Sequence, residues 1–196
     1  MKTSVIVITH PQYQKYERTA LDSLRQQQGE CEVIIHENTT TTLAKACNQA
    51  ISKAGGEYIV RLDSDDFLDP QLVHLEAEYL DDHPDIHCVW CDYWKTYPTE
   101  GDGFEVHQLE YCPQTDLEHA CGAMFRKEVW EKLGGYNESL ERQEAFDFWL
   151  RFERMGFKAQ HIAQPLYYYR QHAGSMSSNV ERRNQARIDI IDLHHR

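Results

Sequence analysis

The sequence predicts an α/β fold: one domain whose mostly parallel central sheet is flanked by helices. Three observations carry this. Between residues 4 and 62, short β-branched runs alternate with amphipathic segments in the order βαβαβ, the pattern of a parallel sheet with right-handed crossovers. The first run, Ser4-Val5-Ile6-Val7-Ile8-Thr9, shows no polar alternation, which marks a strand buried on both faces. A chain of 196 residues with 41% apolar content fills one substantial core and falls short of two.

The elements follow in order. After the opening strand and Pro11, Tyr16, Ala20, Leu21 and Leu24 recur at helical spacing before Gly29 stops the helix. Cys31 to His36 reads as a second strand, and Glu37 to Thr42 as a polar loop whose last threonine caps a helix from Leu43 to Ala54, because a threonine hydroxyl accepts from first-turn amides. Gly55-Gly56 closes that helix, and Glu57 to Leu62 forms a third strand running into Asp63-Ser64-Asp65-Asp66. A helix through Leu72, Leu75, Ala77, Tyr79 and Leu80 follows Pro70, then a strand from Ile86 to Trp94. Tyr97 to Glu118 is polar and glycine-punctuated, and reads as a loop or a strand pair. Beyond it lie a short strand from Cys121 to Phe125, helices from Lys127 to Leu133 and Ala145 to Met155, and a last strand from His161 to Tyr169. The tail from Asn179 is charged and helical, either pairing with a second subunit to give a homodimer or remaining solvated.

Composition excludes several classes. A net charge of -12 opposes a phosphate backbone, so no nucleic acid is expected as partner. No apolar stretch reaches the length of a spanning helix, and Val5 to Ile8 lacks a signal-peptide cleavage pattern; no transmembrane segment is expected, and the location is read as cytoplasmic. The six cysteines are read as free thiols, and the Cys88/Cys91 pair has no second CxxC to complete a zinc set.

The acidic cluster is the strongest chemical signal. It ends an apolar strand of a βαβαβ unit, at the strand end where such sheets bind ligands. Carboxylate oxygens suit Mg2+ and Mn2+, which commonly take one or two protein carboxylates and fill their shell from substrate phosphates.

With these residues in place the chain resembles the inverting GT-A glycosyltransferases of family 2. Ser4 to Thr9 is similar to that family's opening strand, Asn48-Gln49-Ala50 and Gly56-Glu57-Tyr58-Ile59 to its second helix and third strand, and Asp63-Ser64-Asp65-Asp66 to its DxD motif. Phe125-Arg126-Lys127, Gly134-Gly135-Tyr136-Asn137-Glu138, Glu144 with Trp149-Leu150-Arg151, and Tyr169-Arg170-Gln171-His172 with Ser175-Met176-Ser177 follow in the family's order.

The resemblance implies a GT-A domain over residues 1–178, with a nucleotide-sugar half over 1–96, an acceptor half over 97–178, and a tail over 179–196. It implies a Mn2+ or Mg2+ ion held by Asp65 and Asp63, with Asp63 also touching the nucleotide or ribose. It nominates Thr9 and Glu37 for the nucleotide sugar and His172 for its phosphate or the metal, and puts a UDP-sugar first among donors; in an acidic chain Lys45 and Arg170 either offset the phosphate charge of the nucleotide sugar or are solvated. The acceptor is a carbohydrate or glycoconjugate hydroxyl. Displacing a nucleoside diphosphate needs a cation at the leaving phosphate and a base on the opposite face of the sugar, and one such displacement inverts the anomeric centre.

For that base the family carries an acidic pair, which here is Glu144-Ala145. Either Glu144 takes the proton, or the working acid is lost at Ala145 and the domain binds donor without turning over. Asp147 is read as solvated or paired with Arg151 at i+4. A nucleotidyltransferase also uses paired acids and metal, but neither a GxGxxG nor a GxxxxGK[ST] loop is present.

Overall fold

A computed structural model describes residues 1–98, 106–114, 121–172 and 180–195. The Ser175-Met176-Ser177 landmark, the boundary at 178/179 and the end of the Tyr97 to Glu118 segment lie outside those residues.

The apolar stretch Val5 to Ile8 lies in the middle strand of a parallel trio. Strand β1 (Thr3–Thr9) is buried at every position and pairs in parallel with β2 (Cys31–Glu37) on one side and β3 (Tyr58–Asp63) on the other. The sheet continues through β7 (Met124–Arg126), β5 (Cys88–Pro98), β8 (Ala159–Arg170) and the two-residue β4 (Phe67–Leu68), with β6 (Val106–Cys112) beside β5. Strand β7 runs antiparallel to both β3 and β5, and β5 pairs with β8 in parallel. Strands β1, β2, β3, β5 and β8 therefore share one direction, so the sheet is mostly parallel, with β6 and the short β7 and β4 antiparallel to their neighbours.

Helices cover both faces because successive residues of β1 point to opposite sides. Ile6 and Ile8 join α2 (Leu43–Ile51), α4 (Lys127–Leu133) and α5 (Glu144–Arg154) in one apolar cluster with Phe125, Phe148 and Trp149. Val5 and Val7 join α1 (Gln14–Arg25) and α3 (Leu72–Asp82) in the other, with Leu62, Leu68 and Val89.

Several sequence expectations shift. Helix α2 ends at Ile51 rather than Ala54, since the amides of Lys53 and Ala54 turn back to the carbonyls of Ala50 and Ile51 in a tightened last turn. Its start is capped as expected, Thr42 Oγ1 accepting from the Lys45 amide at 3.3 Å. Of the segment from Tyr97 to Glu118, the described residues Val106 to Cys112 form β6, antiparallel to β5. The tail forms α6 (Val180–His194), and it is not wholly solvated: Ile190 is buried, and His194 Nε2 reaches Asp147 Oδ1 at 2.8 Å. All six cysteines are free. No helix among the described residues is long and apolar enough to cross a membrane.

Two landmarks 88 residues apart in the chain meet in space. Asn48 Oδ1 accepts from the Tyr136 amide at 2.8 Å and from Trp130 Nε1 at 3.0 Å, and its Nδ2 donates to the Tyr136 carbonyl at 2.9 Å. A Cβ on Gly135, whose φ is +81°, would lie 2.7 Å from Asn48 Oδ1, so the glycine pair both ends α4 and admits the asparagine.

Candidate active site

Strand β3 and the turn after it carry Arg61, Asp63, Asp65 and Asp66. Arg61 and Asp63, two residues apart, lie on one face of the strand, and the Asp66 amide folds back on the Asp63 carbonyl at 3.0 Å. Asp63 stands where two clefts meet. The first, of about 490 Å3, is lined by Ile8, His10, Tyr13, Asn38, Thr41 and Asp65 among others. The second, of about 540 Å3, is lined by Glu144, Ala145, Lys95, Gln171, Arg183 and Arg187 among others. Asp63 borders both.

The three aspartates have different environments. The Asp63 side chain is 41% exposed at the floor of these clefts. Enclosure by their walls raises its carboxyl above the ordinary value, against the pull of Arg61, and the neighbouring Asp65 charge raises it further. Asp65 faces the first cleft and receives His172 Nε2 at 3.0 Å. Asp66 points inward, is 2% exposed, and accepts from Tyr167 Oη and the Arg170 amide, both at 2.8 Å. Burial, with the charges of Asp65 and Asp63, holds the Asp66 carboxyl well above the carboxylate range. It ties the end of β8 to the acidic turn.

Arg61 joins the two clefts. Its Nη2 lies 2.7 Å from Asp63 Oδ1, and its Nη1 lies 2.7 Å from Glu144 Oε1. Glu144 opens α5, a position that favours an acidic side chain beside the exposed amides of the first turn. The residue before it, Gln143, has φ +60°, a left-handed conformation that costs a non-glycine roughly 1–2 kcal/mol. That turn aims Glu144 into the second cleft.

The model of the family described as Glycosyl transferase family 2 matches residues 5–134. The chain belongs to glycosyl transferase family 2. Among curated relatives it is 32% identical over 133 residues to a chondroitin synthase of Pasteurella multocida, covering 64% of this chain and 13% of that protein. It is 28% identical over 150 residues to the putative glycosyltransferase EpsE of Bacillus subtilis, covering 70% of this chain and 52% of EpsE. The chain thus spans about half of EpsE and a small part of the synthase. Among solved structures, the Pyrobaculum calidifontis mannosyltransferase PcManGT in complex with GDP-Man and Mn2+ superposes with a TM-score of 0.71 at 18% identity, over 98% of this chain and 64% of that one. S. aureus TarS 1-349 in complex with UDP-GlcNAc superposes with a TM-score of 0.72 at 18% identity, over 92% of this chain and 61% of that one. The fold is GT-A.

The residues nominated by family 2 resemblance fall into three groups. Asp63, Asp65, His172 and Glu144 converge on the junction of the clefts. Arg170 is buried beneath them, its guanidinium 4.6 Å from the Tyr16 ring and 5.6 Å from the Phe67 ring, with its backbone amide on Asp66. Thr9 is buried, while Glu37 and Lys45 are exposed; the first cleft is lined by their chain neighbours Ile8, His10, Asn38 and Thr40 to Leu43. Asp147 is buried rather than solvated, and it pairs with Arg151 as expected, Nε to Oδ2 at 2.8 Å.

Sequence reasoning missed Arg61. The available signal was a cation two residues before Asp63 in an otherwise apolar strand, which places both on one face.

The donor set suits a hard divalent cation. Asp63 and Asp65 border one cleft and the His172 imidazole touches Asp65. No cluster of three His, Cys, Asp or Glu side chains able to hold a metal occurs among the described residues.

Proposed function

We propose that this domain transfers a sugar from a nucleoside diphosphate donor to an acceptor hydroxyl with inversion of the anomeric centre. The observation that carries it is the division at Asp63: the acidic turn faces one cleft, and Glu144 faces the other. The donor nucleotide occupies the first cleft, against Tyr13, Asn38 and the Thr40 to Thr42 loop, with the acceptor in the second. UDP is the first donor to test, with GDP next, because similar folds are solved with UDP-GlcNAc and GDP-Man.

In this reading Asp65 and Asp63 would hold Mn2+ or Mg2+, with substrate phosphates completing its shell. When bound, such an ion offsets charge growing on the leaving diphosphate.

Glu144 is the base. Arg61 engages its Oε1, which orients the carboxylate and leaves Oε2 to take the acceptor proton. The acceptor oxygen bonds to the anomeric carbon as the bond from that carbon to the diphosphate oxygen breaks, and the nucleoside diphosphate departs. Ala145 leaves Glu144 as the acid of the matching pair at this wall.

Two measurements test the reading. UDP, GDP, dTDP or CDP with Mn2+ should raise the melting temperature, since a ligand of the native state stabilises it by mass action. Glu144→Gln should retain that shift and lose transfer, by about 100-fold or more for a positioned base. Absence of any nucleotide shift, or full transfer by Glu144→Gln, would overturn it.

A further inference from the structure

A third hollow adjoins the second cleft. It measures about 100 Å3 and is lined by Asp63, Asp66, Cys121, Ala145 and Trp149 among others. Asp63 borders this recess and both clefts, while Cys121 and Ala145 border the recess and the second cleft. Glu144-Ala145 stands where the family carries an acidic pair, and a methyl at the second position leaves this space unfilled.

The lining has two characters. Ala123, Phe125 and Trp149 are buried apolar walls, with the Phe125 and Trp149 rings edge to face at 6.0 Å. Beside them, the carboxyl oxygens of Asp63 and Asp66 can accept hydrogen bonds. Arg61, the one cation of the lining among the described residues, is already shared between Asp63 and Glu144. An anionic substituent would therefore meet two acids and no uncommitted cation.

Position tells which part of a substrate would enter. In the transfer reading the anomeric carbon lies between the diphosphate at Asp65 and the base at Glu144, and so beside Asp63. One ring neighbour of that carbon is oxygen, which carries no substituent, so a group that reaches the recess from there is borne by the other neighbour, C2. At about 30 Å3 per water, the recess has room for roughly three or four heavy atoms. A hydroxyl would leave most of it unfilled, whereas an acetamido group brings a methyl for the apolar walls and an N–H for the carboxyl oxygens.

We infer that Ala145 sets donor specificity by opening a recess for the N-acyl group on C2 of the transferred sugar, so that the donor is a nucleoside diphosphate N-acetylhexosamine. This rests on the transfer reading above.

The test compares UDP-N-acetylglucosamine, UDP-glucosamine and UDP-glucose, which differ only at C2, and their galactose epimers, by titration calorimetry on the full chain with Mn2+. In at least one series the N-acyl donor should bind about tenfold more tightly than the other two, the scale on which a pocket reads one small group. Ala145→Leu on α5 and Cys121→Leu just before β7 narrow the recess from different sides of the chain. Each should remove most of that margin while UDP affinity stays unchanged. Where a nucleoside diphosphate other than UDP binds, N-acetylglucosamine and glucose over that nucleotide make the same comparison. Equal binding within both series overturns the inference alone. So does a glucosamine donor as tight as the N-acyl donor, or a preference that survives both substitutions. Wild-type protein that binds no nucleoside diphosphate at all overturns the transfer reading beneath it.

Discussion

Arg61 and Glu144, 83 positions apart in the chain, meet at 2.7 Å with 16% and 7% of their side chains exposed. A pair this enclosed is held by geometry, and removing one partner strands the other. Arg61→Met should therefore destabilise the fold by about 3–5 kcal/mol, the usual cost of an uncompensated buried charge. Arg61→Lys should recover part of the stability but little transfer, because one ammonium cannot span Asp63 and Glu144 as the guanidinium does. Denaturant melts and turnover on the two variants check this; an Arg61→Met protein as stable as the parent would refute it.

What was legible in the sequence was what local pattern encodes. The unbroken apolar run of β1 announced a strand buried on both faces, the Thr42 cap announced the start of α2, and the acidic turn after Leu62 announced a site at a strand exit. The Asn48 and Gly134-Gly135 landmarks were visible separately, while their contact was not, because nothing local joins a helix to a turn 88 residues on. The same limit hid the Arg61 to Glu144 pair, the antiparallel insertion of β7 and the arginines that α6 brings to the second cleft. Glu76 looked like any polar residue of an amphipathic helix, and only the packing of α3 on β5 shows it enclosed.

Glu76 is fully buried, and neither of its oxygens has a hydrogen-bond partner among the described residues. Burial holds its carboxyl well above the ordinary value of 4.5, with the neighbouring Cys91 thiol pulling the other way. The native state therefore keeps a proton that the unfolded chain releases near its ordinary value. Native protein binds more protons than unfolded protein above that value, so stability falls as pH rises, until the native carboxyl itself ionises. Glu76→Met removes the group, and its stability advantage should grow by about 1.4 kcal/mol per pH unit inside that window. Urea melts of both proteins between pH 4 and pH 8 read the difference, and a gap that stays constant with pH would count against a protonated Glu76.

Asn48 makes four hydrogen bonds, to Trp130 Nε1, to the amide and carbonyl of Tyr136, and to Glu138 Oε1. Asn48→Ala should cost about 2–4 kcal/mol, at roughly 1 kcal/mol net for each bond. Gly135→Ala should also destabilise, since a left-handed φ of +81° is combined with a Cβ contact of 2.7 Å on Asn48 Oδ1. Because Asn48 itself is the obstacle, the two effects should not add: the double variant should lose less than the sum of the singles. Calorimetric melting of the three variants measures this, and strict additivity would mean that Gly135 is needed only for its φ.

Asp65 and Asp66 are neighbours with opposite surroundings, so they should fail in opposite ways. Asp65 borders the first cleft beside His172, whereas Asp66 is buried under Tyr167 and Arg170. Asp65→Asn should leave the melting temperature of the bare protein nearly unchanged and abolish the extra stabilisation that Mn2+ gives with UDP. At 100 times the dissociation constant that stabilisation is about 2.7 kcal/mol, or roughly 5–11 °C for a chain of this size at about 2–4 °C per kcal/mol. Chelating the metal from wild-type protein should produce the same loss. Tyr167→Phe should do the reverse, removing the hydroxyl 2.8 Å from Asp66 Oδ2 and destabilising the bare protein by about 1–3 kcal/mol, seen as a lower melting temperature, while the Mn2+ and UDP response persists. If both substitutions changed the same observable, the acidic turn would be a single structural unit, and the assignment of Asp65 to the ligand and Asp66 to the fold would be lost.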